Sequence, residues 1–279
     1  NSGVTTPRRL LAEAGLRPKK RFGQNFLQNA SAARKIARLA LEDVAEPARI
    51  IEIGAGTGEL TLALLEEGAQ VAAIEIDREL IALLRERKDL ERATIVQADA
   101  LEFDYTAWAA GETWQAVGNL PYNIATAVLL RLIEMECGPA TLTVMVQKDV
   151  ADRFTALPGT PAYGSLSVAV QYAMRARTAF TLSPGSFFPP PKVQSSVVRL
   201  ERRDEPAVRP RDPAIFWKVV RGAFAYRRKT LANSLALALG IDRATIARAL
   251  ISCNLSAELR GERLDLGDFA RLADALAEE

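Results

Sequence analysis

Seven residues, Glu52-Ile53-Gly54-Ala55-Gly56-Thr57-Gly58, constrain the fold of this 279-residue chain more than any others. They follow a short β-rich run at 49–53 and precede a helical pattern at 59–67 that Gly68 closes. Glycines at such a junction permit a tight strand-to-helix turn and close backbone approach to a ligand. A dinucleotide-binding turn would share this feature, but its fingerprint places a third glycine where Glu59 stands.

The pattern repeats downstream. Apolar strands are expected at 70–76, 93–97, 115–118 and 141–146, and helices at 31–42, 78–88 and 125–134, the first capped by Ser31. Strands alternating with helices specify an α/β fold with a parallel sheet flanked by helices. Two later strands are expected at 165–172 and 194–200, which could pair as an antiparallel hairpin at the sheet edge. A charged, proline-bearing stretch at 201–212 reads as a linker. Beyond it only helical periodicity remains, at 214–226, 231–239, 244–251 and 268–276. The expected organisation is a catalytic domain over 1–200, with a basic extension at 1–30, and a small all-α domain over 206–279.

Composition removes several function classes. The chain contains no histidine, which excludes Ser-His and Cys-His triads and His-ligated metal chemistry. Cys137 and Cys253 make neither a disulfide framework nor a zinc site, and their apolar contexts suggest buried thiols. The expectation is therefore no metal. Without an apolar run long enough for a membrane span or a signal-peptide core, it is also a cytoplasmic protein with no membrane partner. The net charge of +2 is unevenly spread: residues 1–38 carry +8 and residues 199–229 carry +6, leaving −12 on the remainder. Two basic blocks on an acidic body suggest a polyanion-binding face, although each also fits a solvated surface.

Three acids stand at successive strand ends: Glu52, Glu75 and Asp99. Singly, each fits an ordinary strand-end loop; together they mark the edge where open α/β sheets bind ligands. The glycine loop with its preceding acid resembles motif I of the S-adenosylmethionine methyltransferases, whose cofactor is a sulfonium cation. A carboxylate at Glu75 can accept ribose hydroxyls, and one at Asp99 can accept an adenine amine. Asn119-Leu120-Pro121-Tyr122 follows the fourth strand. The Asn119 side-chain oxygen and the Leu120 carbonyl are suited to accept both protons of an exocyclic amine, exposing its lone pair. Pro121 fixes the turn and offers no competing donor. Tyr122 offers a face for base stacking, worth ~1–3 kcal/mol.

Seven ordered blocks, together with the single residue Glu75, carry a resemblance to a known family. They begin with Arg21-Phe22-Gly23-Gln24-Asn25-Phe26-Leu27, the glycine loop and Glu75, followed by Gln97-Ala98-Asp99-Ala100-Leu101 and Gly118-Asn119-Leu120-Pro121-Tyr122-Asn123-Ile124. The later blocks are Gln147-Lys148-Asp149-Val150-Ala151, Tyr163-Gly164-Ser165-Leu166-Ser167-Val168 and Phe187-Phe188-Pro189-Pro190-Pro191-Lys192-Val193. The chain resembles the KsgA/Dim1 family of rRNA adenine dimethyltransferases, with Asp149 where the family usually has Glu. The resemblance implies a Rossmann-like class I methyltransferase sheet using S-adenosyl-L-methionine. It implies that Gln24, Asn25 and Leu27 line the methionine end of the cofactor, with Gly54 and Gly56 on its backbone. Glu75 would hold the ribose, Asp99 and Ala100 the adenine, and Asn119 both the cofactor and the target amine. Tyr122 and Phe187 would sandwich the target base, although Phe187 by itself also reads as a core residue before a proline turn.

The implied substrate is a pair of adjacent adenines near the 3′ end of 16S rRNA, in the 30S subunit or its precursor, each dimethylated by a monomeric enzyme. Arg21, Arg227, Arg228 and Lys229 are candidates for gripping phosphate, with a solvated helix end as the other reading of the last three. Three rivals remain open at this stage: a sister enzyme acting on large-subunit rRNA, a family-derived binding protein without transfer activity, and a dinucleotide oxidoreductase. The glycine spacing and the Asn119 motif speak against the last.

Overall fold

The computed structural model describes residues 6–121 and 123–277. In chain order, its first half contains α1 (Pro7–Glu13), β1 (Phe26–Leu27), α2 (Ala30–Leu41), β2 (Arg49–Ile53), α3 (Glu59–Glu66) and β3 (Gln70–Glu75). Next come α4 (Arg78–Glu86), β4 (Thr94–Gln97), α5 (Tyr105–Ala109), β5 (Gln115–Asn119), α6 (Ala125–Glu134) and β6 (Thr141–Gln147). Then follow α7 (Lys148–Phe154), α8 (Ser165–Ala173), β7 (Met174–Leu182), β8 (Phe187–Phe188) and β9 (Ser195–Arg202). The chain finishes with α9 (Pro213–Ala225), α10 (Leu231–Leu239), α11 (Arg243–Ser252) and α12 (Leu266–Leu276).

Two compact units result. One comprises the residues up to Ala151 together with Ala176–Arg202; the other comprises Asp152–Arg175 and the chain from Arg203 onward. The first is built on a seven-stranded sheet in the order β4-β3-β2-β5-β6-β9-β7. Its first five strands run parallel, and β9 pairs antiparallel with β6. Four of the five β2 residues are buried, as expected of a strand covered on both faces. The strand order reverses between β2 and β5, so the chain leaves these neighbours in opposite directions. This switch point opens a crevice at the carboxyl ends of the strands, where ligands bind in open α/β sheets.

Local chemistry explains the flanking helices. Asn29 caps α2 by accepting the Ala32 N–H at 3.0 Å, so the helix starts before Ser31, and Ala33, Ile36, Ala37 and Ala40 form its buried stripe. At its other end, the Arg199 guanidinium on β9 donates to the Leu39 and Glu42 carbonyls. Both carbonyls lie at the helix end, where backbone acceptors are short of donors; among the described residues Leu39 otherwise has only the long 3.4 Å bond from the Glu42 N–H. Arg199 is 2% exposed, and these bonds together with the Glu201 carboxylate, 2.9 Å from its Nε, compensate a charge so deep.

Several sequence expectations need correction. Residues 165–172 are the helix α8, not a strand, and the late strand is β7 instead. Leu166, Ser167, Val168, Ala169 and Val170 are all buried, so the alternation of serine with apolar residues did not mark one wet face and one dry face. Residues 152–175 also belong to the helical unit rather than to the domain expected over 1–200. Aromatic anchors put them there: the Tyr163 hydroxyl donates to the Leu264 carbonyl at 2.8 Å, and the Tyr172 ring stacks on Phe216 at 4.9 Å. The core of that unit joins Phe216, Val219, Leu231, Leu235, Phe269 and Leu272. Cys137 is exposed and Cys253 half-buried, so neither is the core thiol expected.

Candidate active site

The carboxyl ends of β2, β3, β4 and β5 meet in one cleft of about 900 Å³ of non-atom space, open solvent at its mouth included. Gly54, Gly56, Glu75, Asp99 and Ala100 line it. So do Asn119, Leu120 and Pro121 from the tetrapeptide, and Gln24, Asn25 and Leu27 from the amino-terminal segment. Eleven candidate residues spread over almost a hundred positions therefore share one cavity. Tyr122 lies outside the described residues.

The glycine loop needs its glycines. Gly54, Gly56 and Gly58 adopt φ of 76°, 60° and 91°, in the left-handed region that side chains rarely tolerate. A Cβ on Gly56 would sit 3.0 Å from the Phe26 ring, and one on Gly58 would sit 2.6 Å from Leu90. The loop is braced from below by Arg87, whose guanidinium donates to the Thr57 carbonyl at 2.5 Å.

Glu75 is nearly buried, and its carboxylate accepts three backbone N–H groups: Gly56 at 2.9 Å, Ile76 at 2.9 Å and Asp77 at 3.0 Å. With about four acceptor positions on a carboxylate, these bonds leave Oε2 one lone pair for a ligand hydroxyl. Burial nevertheless raises its pKa, because desolvation outweighs the three donors. Glu52 lies deeper, 1% exposed, with the Thr61 hydroxyl bonded to Oε2. Burial, with Glu59 and Glu75 nearby, pushes its pKa to about 8, so the group is largely protonated at neutral pH. Asp99 uses Oδ1 to accept the Leu101 N–H at 2.8 Å, which leaves Oδ2 without a hydrogen-bond partner among the described residues.

The amino-terminal segment is strapped across this cleft. Gln24 donates to Asp77 at 2.9 Å and accepts the Lys19 N–H at 2.7 Å, while the Lys19 ammonium reaches Asp77 at 2.7 Å and Glu79 at 2.5 Å. The Gln24 amide is thus committed to the strap, and only its remaining surface faces a ligand. On the other side, Asn119 Nδ2 donates to the Asn25 carbonyl at 2.8 Å. Asn123 Nδ2 donates to the Arg21 carbonyl at 3.5 Å. Asn119 Oδ1 and the Leu120 carbonyl keep their acceptor capacity, with no hydrogen bond to either among the described residues.

Phe187 does not line the cleft. It is 1% exposed, sits opposite Leu27 in the β1–β8 pair and belongs to a core cluster with Val197 and Met145. In this arrangement the ring packs as a core residue, the other of the two roles its sequence context allows. Two residues that the sequence did not single out do line the cleft. Ile76 follows Glu75 and stays 43% exposed, and Phe22 carries the Arg21 guanidinium 4.6 Å above its ring. An exposed isoleucine directly after a strand-end acid was a readable signal for the first. The second depended on where the strap folds.

The cleft can hold a cation-bearing ligand with a hydroxyl at Glu75, an amine at Asp99, and a second amine at Asn119. Comparison with known proteins narrows this chemistry. The family model described as "Ribosomal RNA adenine dimethylase" matches residues 15–277. The chain belongs to the ribosomal RNA adenine dimethylase family. Members of this family similar to the chain include the "Ribosomal RNA small subunit methyltransferase A" of Streptococcus gordonii, 42% identical over 98% of this chain and 96% of the relative. The protein of the same name from Pseudomonas aeruginosa is 43% identical over 94% of this chain and 96% of the relative. Among solved structures, a dimethyladenosine transferase from Plasmodium falciparum aligns with a TM-score of 0.68 at 23% identity, covering 88% of this chain and 95% of that one. The 23S rRNA methyltransferase ErmE aligns with a TM-score of 0.62 at 24% identity, covering 91% of this chain and all of that one. These last two place this dimethylase-family chain in the α/β methyltransferase fold.

The described residues contain no cluster of three or more His, Cys, Asp or Glu able to hold a metal, and no helix long and apolar enough to cross a membrane. Arg227, Arg228 and Lys229 follow α9 and are exposed, as is Arg21 on the strap.

Proposed function

We propose that this protein transfers methyl groups from S-adenosyl-L-methionine to the exocyclic amines of two adjacent adenines near the 3′ end of 16S rRNA, dimethylating each. One observation carries the reading. Asn119 turns its NH2 group to the Asn25 carbonyl and spends one of its two hydrogens there, so its oxygen is left to accept from a target amine at the sheet's switch point.

The donor set fits the cofactor. Acids surround the cleft, which suits a sulfonium cation, and the loop glycines let backbone approach closely. The Glu75 Oε2 lone pair takes a ribose hydroxyl, and Asp99 Oδ2 takes the adenine amine. Gly54, Gly56, Asn25 and Leu27 surround the rest, while Ile76 offers an apolar surface beside the adenine. S-adenosylmethionine supplies an electrophilic methyl carbon with a neutral thioether as leaving group.

The protein's task is positioning. An adenine amine is a poor nucleophile because its lone pair is delocalised into the ring. Asn119 Oδ1 and the Leu120 carbonyl accept its two protons, favour a pyramidal nitrogen and turn its lone pair toward the cofactor. Held geometry of this kind converts an encounter into an in-line displacement. No strong base is required, since the methylated amine is acidic enough to give its proton to water. A chain without histidine therefore loses nothing. Tyr122 provides the stacking face for the flipped base.

The basic blocks grip rRNA phosphates, through Arg21 on the strap and Arg227, Arg228 and Lys229 in the helical unit. The enzyme acts as a cytoplasmic monomer on the 30S subunit or its precursor. The test is to incubate undermethylated small and large subunits with labelled S-adenosylmethionine and map methylated positions by mass. Two dimethyladenosines near the 3′ end of 16S rRNA are expected. Label confined to the large subunit, or no label with cofactor bound, would overturn the assignment.

A further inference from the structure

Helix α6 begins at Ala125, with Asn123 and Ile124 between it and the Asn119 tetrapeptide, and nearly two turns along it stands Arg131. Its guanidinium donates to the Ala100 carbonyl at 3.0 Å and to the Phe103 carbonyl at 2.8 Å. It lies 5.2 Å from the centre of the Tyr105 ring. Tyr105, 1% exposed, directs its own hydroxyl to the same Ala100 carbonyl at 2.8 Å. One backbone oxygen thus receives two donors from different elements. That oxygen belongs to the residue after Asp99, in a turn where Leu101, Glu102 and Phe103 all bond back to Asp99.

The arrangement is more than a local brace. Asp99 and Ala100 line the cleft on the β4 side, and Asn119 to Pro121 line it on the β5 side. Arg131 links the two, because the start of the helix that carries it is bonded to Pro121. The Pro121 carbonyl accepts the Ile124 and Ala125 N–H groups at 3.1 and 2.9 Å, so the helix start is bonded to the target-amine motif. A planar guanidinium can hold two carbonyls at fixed separation, and a lysine ammonium cannot reproduce that fork.

We propose that Arg131 is a positioning residue that sets the Asp99 turn to read the exocyclic amine of the cofactor's adenine. Tyr105 supports it. The proposal rests on the cofactor reading above and adds a residue that touches neither cofactor nor substrate. With Arg131 in place, Asp99 Oδ2 is held against the adenine amine. Without it, the turn relaxes and the carboxylate loses its aim.

The test compares binding of S-adenosylhomocysteine with that of S-inosylhomocysteine, whose ring presents a carbonyl where adenine presents its amine. Calorimetry is run on wild type, Arg131→Gln, Arg131→Lys and Tyr105→Phe, with thermal melts as a folding control. A site built to accept a hydrogen bond penalises the analogue that lacks the donor, so wild type should prefer the adenine ligand by about 100-fold. Arg131→Gln should bring that preference to about tenfold or less, which is a loss of roughly 1.4 kcal/mol of discrimination. Arg131→Lys should fall between, and Tyr105→Phe should lose less. A merely structural role would weaken both ligands equally and leave the ratio intact; that result in folded Arg131→Gln, or in folded Arg131→Lys should the first variant fail to fold, overturns the proposal. If wild type binds neither ligand, it is the cofactor reading that fails.

Discussion

Asn119 and Asn25 stand 94 residues apart in the chain and are joined by a 2.8 Å hydrogen bond from the Asn119 side-chain amide to the Asn25 carbonyl. This bond fixes which end of the amide faces the strap and which end faces the cleft. An asparagine free to flip would present donor and acceptor in turn, and only the acceptor suits an amine. The strap therefore both lines the cleft and sets the polarity of the Asn119 amide, the group to which the proposed function assigns the target amine.

Replacing Asn119 with alanine removes the acceptor and the tie to the strap together. Methyl transfer should fall by about 10²–10³-fold, the scale of losing one preorganised polar group at a reacting centre. The melting temperature should change little, since the side chain is only partly buried. Single-turnover transfer to small subunits checks this, and near-normal turnover would remove Asn119 from the role given to it.

Glu52 makes the free protein sensitive to pH. Its folded pKa is near 8, against 4.5 for a glutamate in water, so between these values the folded state holds a proton that the unfolded state has released. Stability falls as pH rises wherever the folded state binds more protons. The stabilisation is complete below pH 4.5, declines through the interval and is lost above about 8. Glu52→Gln imitates the protonated form and should flatten this dependence. Melting curves of both proteins without cofactor at pH 6 and pH 9 should diverge, with the variant relatively more stable at the higher value. Parallel curves would mean that Glu52 does not titrate in this range.

Phe187 separates packing from base recognition. As a fully buried ring, its truncation to alanine should cost about 3–5 kcal/mol. Phe187→Leu keeps most of the volume and should cost under about 1.5 kcal/mol. If the ring acts only in the core, the leucine variant keeps nearly full methyl transfer at a temperature where it is folded. A large loss of kcat in that variant, with stability intact, would show that the ring meets the base after all.

Arg227, Arg228 and Lys229 are exposed beyond the end of α9. Changing all three to alanine should weaken binding to small subunits and reduce the steepness of its salt dependence by roughly one for each phosphate no longer neutralised. Affinity for S-adenosylhomocysteine should not move. Filter binding across a salt series, paired with calorimetry, checks both halves. An unchanged slope would make the cluster a plain solvated surface.

The sequence by itself determined the catalytic sheet and the cleft's local parts. The residue types of the glycine turn, the strand-end acids and the Asn119 tetrapeptide are local choices at strand ends, so the chemistry they offer is written in adjacent letters. Strand-and-helix alternation then places strand ends together, as in Glu75 and Asp99. Tertiary structure decided what depends on distant partners. It put Phe187 into the core, turned residues 165–172 into a helix and drew residues 152–175 into the helical unit through Tyr163 and Tyr172. It also aimed the Asn119 amide and clamped Ala100 from Arg131. Such outcomes turn on which groups lose their water and which find a donor across the fold, and no local period in the chain records that.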